Sequence, residues 1–201
     1  VLDAATYAGS CLADPPRICG VQLIAFTYGH ALILERIKSP FVCAQAADPM
    51  RGDLAMALLI CSRPAAEAWR LLRSWRGRWW IRRLGKRFHV GNFDRSLESC
   101  LRFSAWLCAS YKLPELWEGS GKARALKSPY IQCLKVWAVT EMHMSPEKVM
   151  DTPIHELMWD SICWREMRGK ADPISDDERE LLAILRAAAQ AKAQESAEAK
   201  A

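Results

Sequence analysis

Three observations predict an all-α protein. From Cys19 onward the apolar residues recur with a helical period. Three segments open with Ser or Thr followed by Pro, a helix-start signal, and proline or glycine interrupts every candidate strand. The expected architecture is an irregular multi-helix bundle with a helical, solvated C-terminal tail. It divides into an irregular segment 1–19, a helical domain 20–171, and a C-terminal helix with polar tail 172–201. With 201 residues, 51% hydrophobic and 25% charged, the chain is apolar enough to bury one substantial core and too apolar for a disordered polymer.

Pro15-Pro16 excludes a long regular element in residues 1–19. Val21, Ile24, Leu32 and Ile37, with Leu23, Phe26, Ile33 and Leu34, then form a broad apolar surface ending at Ser39-Pro40. Asp53 is placed to N-cap a short apolar helix, Leu54–Ser62, because its carboxylate can accept the unpaired first-turn amides. Pro64 interrupts, and an arginine- and tryptophan-rich helix follows. Gly85 and Gly91 bracket Lys86–Val90, read as a turn or a single ribbon. Asp94 caps the next helix, with Leu97, Cys100, Leu101, Leu107, Cys108 and Tyr111 along one side, and Pro114 follows it. Residues 117–127 read as a loop.

Ser128-Pro129, Ser145-Pro146 and Thr152-Pro153 open the next three helices. In each, the hydroxyl is the expected cap, and proline at the first helical position forfeits only an amide that would be unpaired anyway. Ser175 with Glu178 forms a capping box for the final helix, which dissolves past Leu185 into Ala, Gln, Lys and Glu. The helix after Pro153 carries two apolar lines. Ile154, Leu157, Met158, Ile162 and Trp164 share one face, and Trp159, Cys163 and Met167 run at i, i+4, i+8 on the other. A surface helix needs one such stripe. The helix is therefore either central to the core or holds Trp159, Cys163 and Met167 as a protein-docking face.

The strongest functional signal is Arg63–Arg87, RPAAEAWRLLRSWRGRWWIRRLGKR. It holds nine basic residues against one acid, Glu67, in a chain whose net charge is only +5. Four of the nine tryptophans, Trp69, Trp75, Trp79 and Trp80, lie in it. Trp69, Leu72, Trp75 or Arg76, Trp79 and Leu84 could face the core, leaving the arginines as the wet side with their stems over apolar surface. The scarcity of acids argues instead for an anionic partner, because a merely solvated face usually mixes signs. On that reading Arg73, Arg76, Arg82, Arg83 and Arg87 face solvent and bind the anion, while Trp69 and Leu72 turn inward.

Other motifs carry less. His155-Glu156 begins a zinc-protease H-E-x-x-H, but Trp159 stands where the second histidine belongs. Met142-His143-Met144 offers soft ligands, although a lone histidine among core methionines is the commoner case. His30, with Glu35 beyond it, could act as a base, yet no nucleophile matches it and a hydrogen-bonded structural histidine is expected. Gly119-Ser120-Gly121-Lys122 lacks the spacing and the strand of a phosphate loop. No catalytic, metal-ligating or cofactor-binding residue is assigned. The eight cysteines include no C-x-x-C, and several have apolar neighbours. They are expected to be reduced, mostly buried thiols of a cytoplasmic protein. The longest apolar run, Val21 to Leu34, is too short and too polar for a membrane span.

Residues 144–169, MSPEKVMDTPIHELMWDSICWREMRG, resemble the C-terminal region of small helical tail assembly chaperones and related tail-region proteins of tailed bacteriophages. There a short helix, an aspartate and a proline lead into an apolar helix, as Val149-Met150-Asp151 lead into Pro153–Met167 here. Phe26–Pro40, FTYGHALILERIKSP, is similar to phage structural-gene products. The resemblance covers about a quarter of the chain and rests on a permissive motif. It implies a non-enzymatic assembly factor in the host cytoplasm, or carried into the particle, acting through its apolar helix faces on a phage structural protein such as a tape-measure or tail-tube subunit. The competing expectation is a helical nucleic-acid-binding module using residues 63–87, with arginines on phosphates and tryptophans on bases. An enzyme with a site at His30 and Glu35 is a third, weaker reading.

Overall fold

The computed structural model describes residues 14–43, 51–89, 93–112 and 129–169, with residues 178, 180–187 and 190 of the C-terminal helix; side chains at 51, 87–89 and 93–95 are outside the description. The all-α expectation holds, with a two-strand hairpin added. Strands β1 (Arg17–Ile18) and β2 (Val21–Gln22) pair antiparallel, Arg17 opposite Gln22 and Ile18 opposite Val21. This hairpin crosses the expected boundary at residue 19. The two turn residues, Cys19 and Gly20, both have positive φ (51° and 76°), the backbone a tight hairpin of this kind requires. Cys19 also donates its thiol to the Ser99 hydroxyl at 3.1 Å.

Helix α1 (Tyr28–Arg36) begins with a reciprocal cap. The His30 backbone N–H donates to the Thr27 hydroxyl, and the Thr27 N–H donates to His30 Nδ1 at 3.1 Å. Because Nδ1 accepts, the ring proton sits on Nε2, which donates to the Arg63 carbonyl at 2.8 Å. His30 is thus a fully buried structural histidine. It ties α1 to the entrance of the arginine-rich segment. Gly29 is the close-approach point of the same helix: a Cβ there would meet the Ala65 Cβ at 2.5 Å and the Met150 carbonyl at 2.8 Å.

Helix α2 (Arg51–Cys61) is the centre of the core. Leu54, Ala55 and every residue from Ala57 to Cys61 are sealed from solvent, which its apolar composition on all sides anticipates. It starts before Asp53, so that residue lies in the first turn instead of capping it, still favourably placed against the helix dipole. Around α2 pack α1, α3 (Ala65–Leu72), α4 (Trp75–His89) and α5 (Phe93–Ser110). Asp94 accordingly sits inside α5 and not at its cap. Phe26 meets Trp106 and Tyr111 edge-on and Phe103 lies tilted against Trp106, with ring centroids 5.5–5.7 Å apart, between α5 and the segment before α1.

Helices α6 (Tyr130–Thr140), α7 (Pro146–Asp151) and α8 (Ile154–Met167) complete the bundle. Of the three expected openings, Ser145-Pro146 forms as written, with the Ser145 hydroxyl accepting from the Lys148 N–H. The other two shift by one residue: Pro129 and Pro153 are themselves the caps, and Thr152 ends α7 by donating its hydroxyl back to the Lys148 carbonyl at 2.7 Å. At Pro153 the reason is a pair of tertiary bonds. Tyr28 N–H donates to the Thr152 carbonyl (3.0 Å) and Ile154 N–H to the Phe26 carbonyl (2.9 Å), holding residues 152–154 extended beside the start of α1. Residues 180–187 are helical with mostly exposed side chains. The 117–127 loop, the Ser175 cap and the tail beyond 190 lie outside the described residues. Among the described residues, no helix is long and apolar enough to cross a membrane.

Candidate functional site

The arginine-rich segment is two helices, not one. Ser74 makes the break: its hydroxyl donates to the Leu71 carbonyl (2.7 Å) at the end of α3 and accepts from the Gly77 N–H (3.1 Å) at the start of α4. Gly77 is needed because a Cβ there would run into the Leu71 carbonyl. Beyond the elbow, Gly77, Trp80, Ile81 and Leu84 form the inner stripe of α4 against α2. That packing carries the helix through Gly85 to His89, where a turn was expected. Leu84 alone buries enough apolar surface to outweigh the roughly 1 kcal/mol that glycine costs inside a helix.

The opposite face of α4 is exposed and of one sign. Trp75 and Trp79 are 68% and 53% exposed, so neither faces the core. Arg76, Arg78, Arg82, Arg83 and Lys86 are exposed beside them, as is Arg73 at the elbow. Arg87 lies outside the described side chains. Trp69 and Leu72 are half-buried against the core, as expected. The guanidinium of Arg76 lies 5.7 Å from the Trp75 ring centroid and that of Arg83 5.2 Å from Trp79. Arg36 and Arg73 flank Trp69 at 5.1 and 5.9 Å. Such contacts orient the side chains at about 0.5–1 kcal/mol each on a surface and leave every positive charge available. An ion pair joins Arg168 to Glu141 at 3.5 Å, and none is seen at the described arginine side chains of α3 and α4.

Two clefts flank Trp79. One, of about 400 Å³, lies between the β-hairpin turn, Ser62-Arg63 and α4, and is lined by Arg63, Trp79, Trp80 and Arg83. The other, about 760 Å³, runs along Trp79, Arg82, Arg83 and Lys86. Arg63 was not among the expected anion-binding residues, yet it is the most firmly held. His30 grips its carbonyl, its guanidinium donates twice to the Ser62 hydroxyl at 3.3 Å, and it lies 5.7 Å from the Trp80 centroid. Its charge was visible in the sequence; its partnership with α4 depends on the fold.

The expected docking line on α8 divides. Trp159 is 3% exposed and its indole N–H donates to the Lys112 carbonyl at 3.3 Å, so it is a core side chain and not a docking residue. The first two turns of α8 are buried on both sides, which explains the double stripe. Cys163 and Met167 emerge into solvent in the last turns, Met167 at 88% exposure. Burial and the nearby Glu166 and Asp160 push the Cys163 thiol up from its ordinary value, which leaves it a poor nucleophile. Among the other described cysteines, all free thiols, Cys61 is fully buried and Cys108 exposed, so burial is less general than expected. His155 is buried and, like His30, is held below its ordinary value by desolvation. Among the described residues no three His, Cys, Asp or Glu side chains cluster as a metal site.

No protein-family model, curated protein or solved structure matches this chain.

Proposed function

We propose that this chain is a non-enzymatic, phage-type structural or assembly protein whose working surface is the exposed face of α4, docked on a partner of opposite charge. The observation that carries the reading is the pairing of exposed Trp75 and Trp79 with arginines that no carboxylate among the described residues neutralises. Exposed tryptophan and arginine are the side chains that concentrate binding energy when a partner desolvates them. Unbalanced positive charge along one helix steers an anionic surface toward them. The similarity of residues 144–169 to tail-region proteins supplies the context, with the acidic face of a tape-measure or tail-tube subunit as the partner it implies. His30, the histidine that could have served a catalytic reading, has both ring nitrogens committed to the backbone.

Reversing Arg76, Arg82 and Arg83 together to Glu tests the proposal. All three are exposed, so the variant should fold with unchanged helical content. It should lose capture of candidate tail-tube and tape-measure subunits that the wild type retains at low salt. Equal capture by both proteins would remove α4 as the working surface.

A further inference from the structure

We propose that the ridge carrying Trp79 binds a single strand of nucleic acid, one base stacking on the exposed indole and the flanking phosphates held in the cationic clefts on either side. The inference rests on the preceding reading in one respect, that the face of α4 takes an anionic partner; it names a ligand class for that face. An acidic protein surface would use the exposed indoles and the positive charge, and needs no cleft on each side of one ring. This ridge offers more: a flat, half-exposed ring standing between two concavities, each with its own guanidinium or ammonium groups.

The spacing is set by the helix. Trp79, Arg82, Arg83 and Lys86 fall at i, i+3, i+4 and i+7, which puts the ring and three cations on one side of α4. On the hairpin side the fourth cation, Arg63, comes from the α2–α3 junction. It is held in advance by the Ser62 hydroxyl and by His30 through its carbonyl. A strand crossing the ridge would meet Arg63 before the indole, Arg83 beside it, and Arg82 and Lys86 after it. Arg83 already lies 5.2 Å from the Trp79 centroid, so one ring face has a cation and a base can take the other. A chain of alternating planar bases and negative phosphates matches this arrangement, and stacking is sequence-tolerant because every base has a π-face. Duplex DNA keeps its bases stacked within the helix and could not use Trp79 in this way.

The test is binding of the full chain to a fluorescein-labelled single strand of about 12 thymidines, with duplex DNA and poly-glutamate as competitors. Log affinity should fall with log salt with a slope of about −2.8, the value for roughly four phosphates neutralised on a single strand. Trp79→Leu should weaken binding about 5- to 150-fold, the range of one lost base stack, and Trp79→Phe should recover most of it. Trp79 is exposed, so both variants should melt with the wild type, which the same samples check. Poly-glutamate competing as well as the oligonucleotide, or Trp79→Leu binding at wild-type strength, would overturn the nucleic-acid assignment while leaving an anion-binding face. Binding to none of the three polyanions would likewise overturn the nucleic-acid assignment, while loss of tail-subunit capture in the triple-Glu variant separately decides the docking proposal.

Discussion

Helices α4 and α8 have the same ingredients, tryptophan, sulfur or aliphatic residues and interspersed charge, and the fold uses them in opposite ways. In α8 the tryptophan at the centre of the second stripe, Trp159, goes inside and its N–H finds the Lys112 carbonyl. In α4 Trp75 and Trp79 stay outside, next to guanidinium groups. An indole in the core adds stability through area and one satisfied donor; an indole on the surface adds almost nothing to stability and is free to bind. The contrast teaches that an apolar stripe in a sequence does not announce a docking site. What separates the two helices is where each one's neighbours close around it.

The largest expected effect breaks the comparison directly. Trp159→Ser should lower unfolding free energy by about 3–5 kcal/mol, as truncating a core aromatic does, whereas Trp79→Ser should lower it by no more than about 1 kcal/mol, the loss of its surface contact with Arg83. Urea denaturation of the two variants reads both values, and equal losses would mean that α4 is packed as α8 is.

His30→Ala is expected next, with a loss of order 3 kcal/mol. It strands the Thr27 N–H and the Arg63 carbonyl in the interior, and each buried group left unpaired costs about 1–3 kcal/mol. The wild type should also show the histidine in its pH dependence. Burial holds His30 and His155 below their ordinary values, so the unfolded chain takes up protons that the folded chain refuses. Stability therefore falls as pH drops through about 6.5, the unfolded histidine value, toward the lowered folded ones. Glu156 and Asp160 are raised by burial, with Asp160 adding to the shift of Glu156, and they pull in the opposite sense only nearer their unfolded values of about 4. The urea midpoint should fall between about pH 7 and 5.5; a flat profile would contradict a buried neutral His30.

Smaller effects sharpen the elbow that aims α4. Gly77→Ala forces a methyl against the Leu71 carbonyl and should cost about 1–3 kcal/mol. Gly85→Ala, with nothing within 4 Å of the new methyl, should stabilise by about 0.5–1 kcal/mol. The two thermal melts should move in opposite directions; movement in the same direction would mean that the helix does not turn at Ser74 as described.

The helical class, the apolar nature of α2, the Ser145 cap and the structural role of His30 were legible in the sequence because each depends on local pattern. The break at Ser74 was not, since Arg63–Arg87 reads as one helix until the Leu71 carbonyl is seen against Gly77. Running one helix through the break misphased the wheel and left Trp75 and Trp79 as core candidates. The burial of Trp159 was illegible for a different reason: its partner carbonyl lies 47 residues away. For the candidate site, Arg73, Arg76, Arg82 and Arg83 were identifiable from charge alone, but Arg63 joins them only through the hairpin and the His30 bond.

On the proposed reading α4, and not α8, is the surface that meets the partner. Hydrogen exchange of the full chain, with and without the saturating polyanion (the thymidine strand, or poly-glutamate if that binds better), reports on both helices at once. Slowed exchange is expected at Ser62-Arg63 and across residues 74–86, with the amides of 154–167 unchanged. Slowed exchange centred on α8 with α4 unaltered would contradict it.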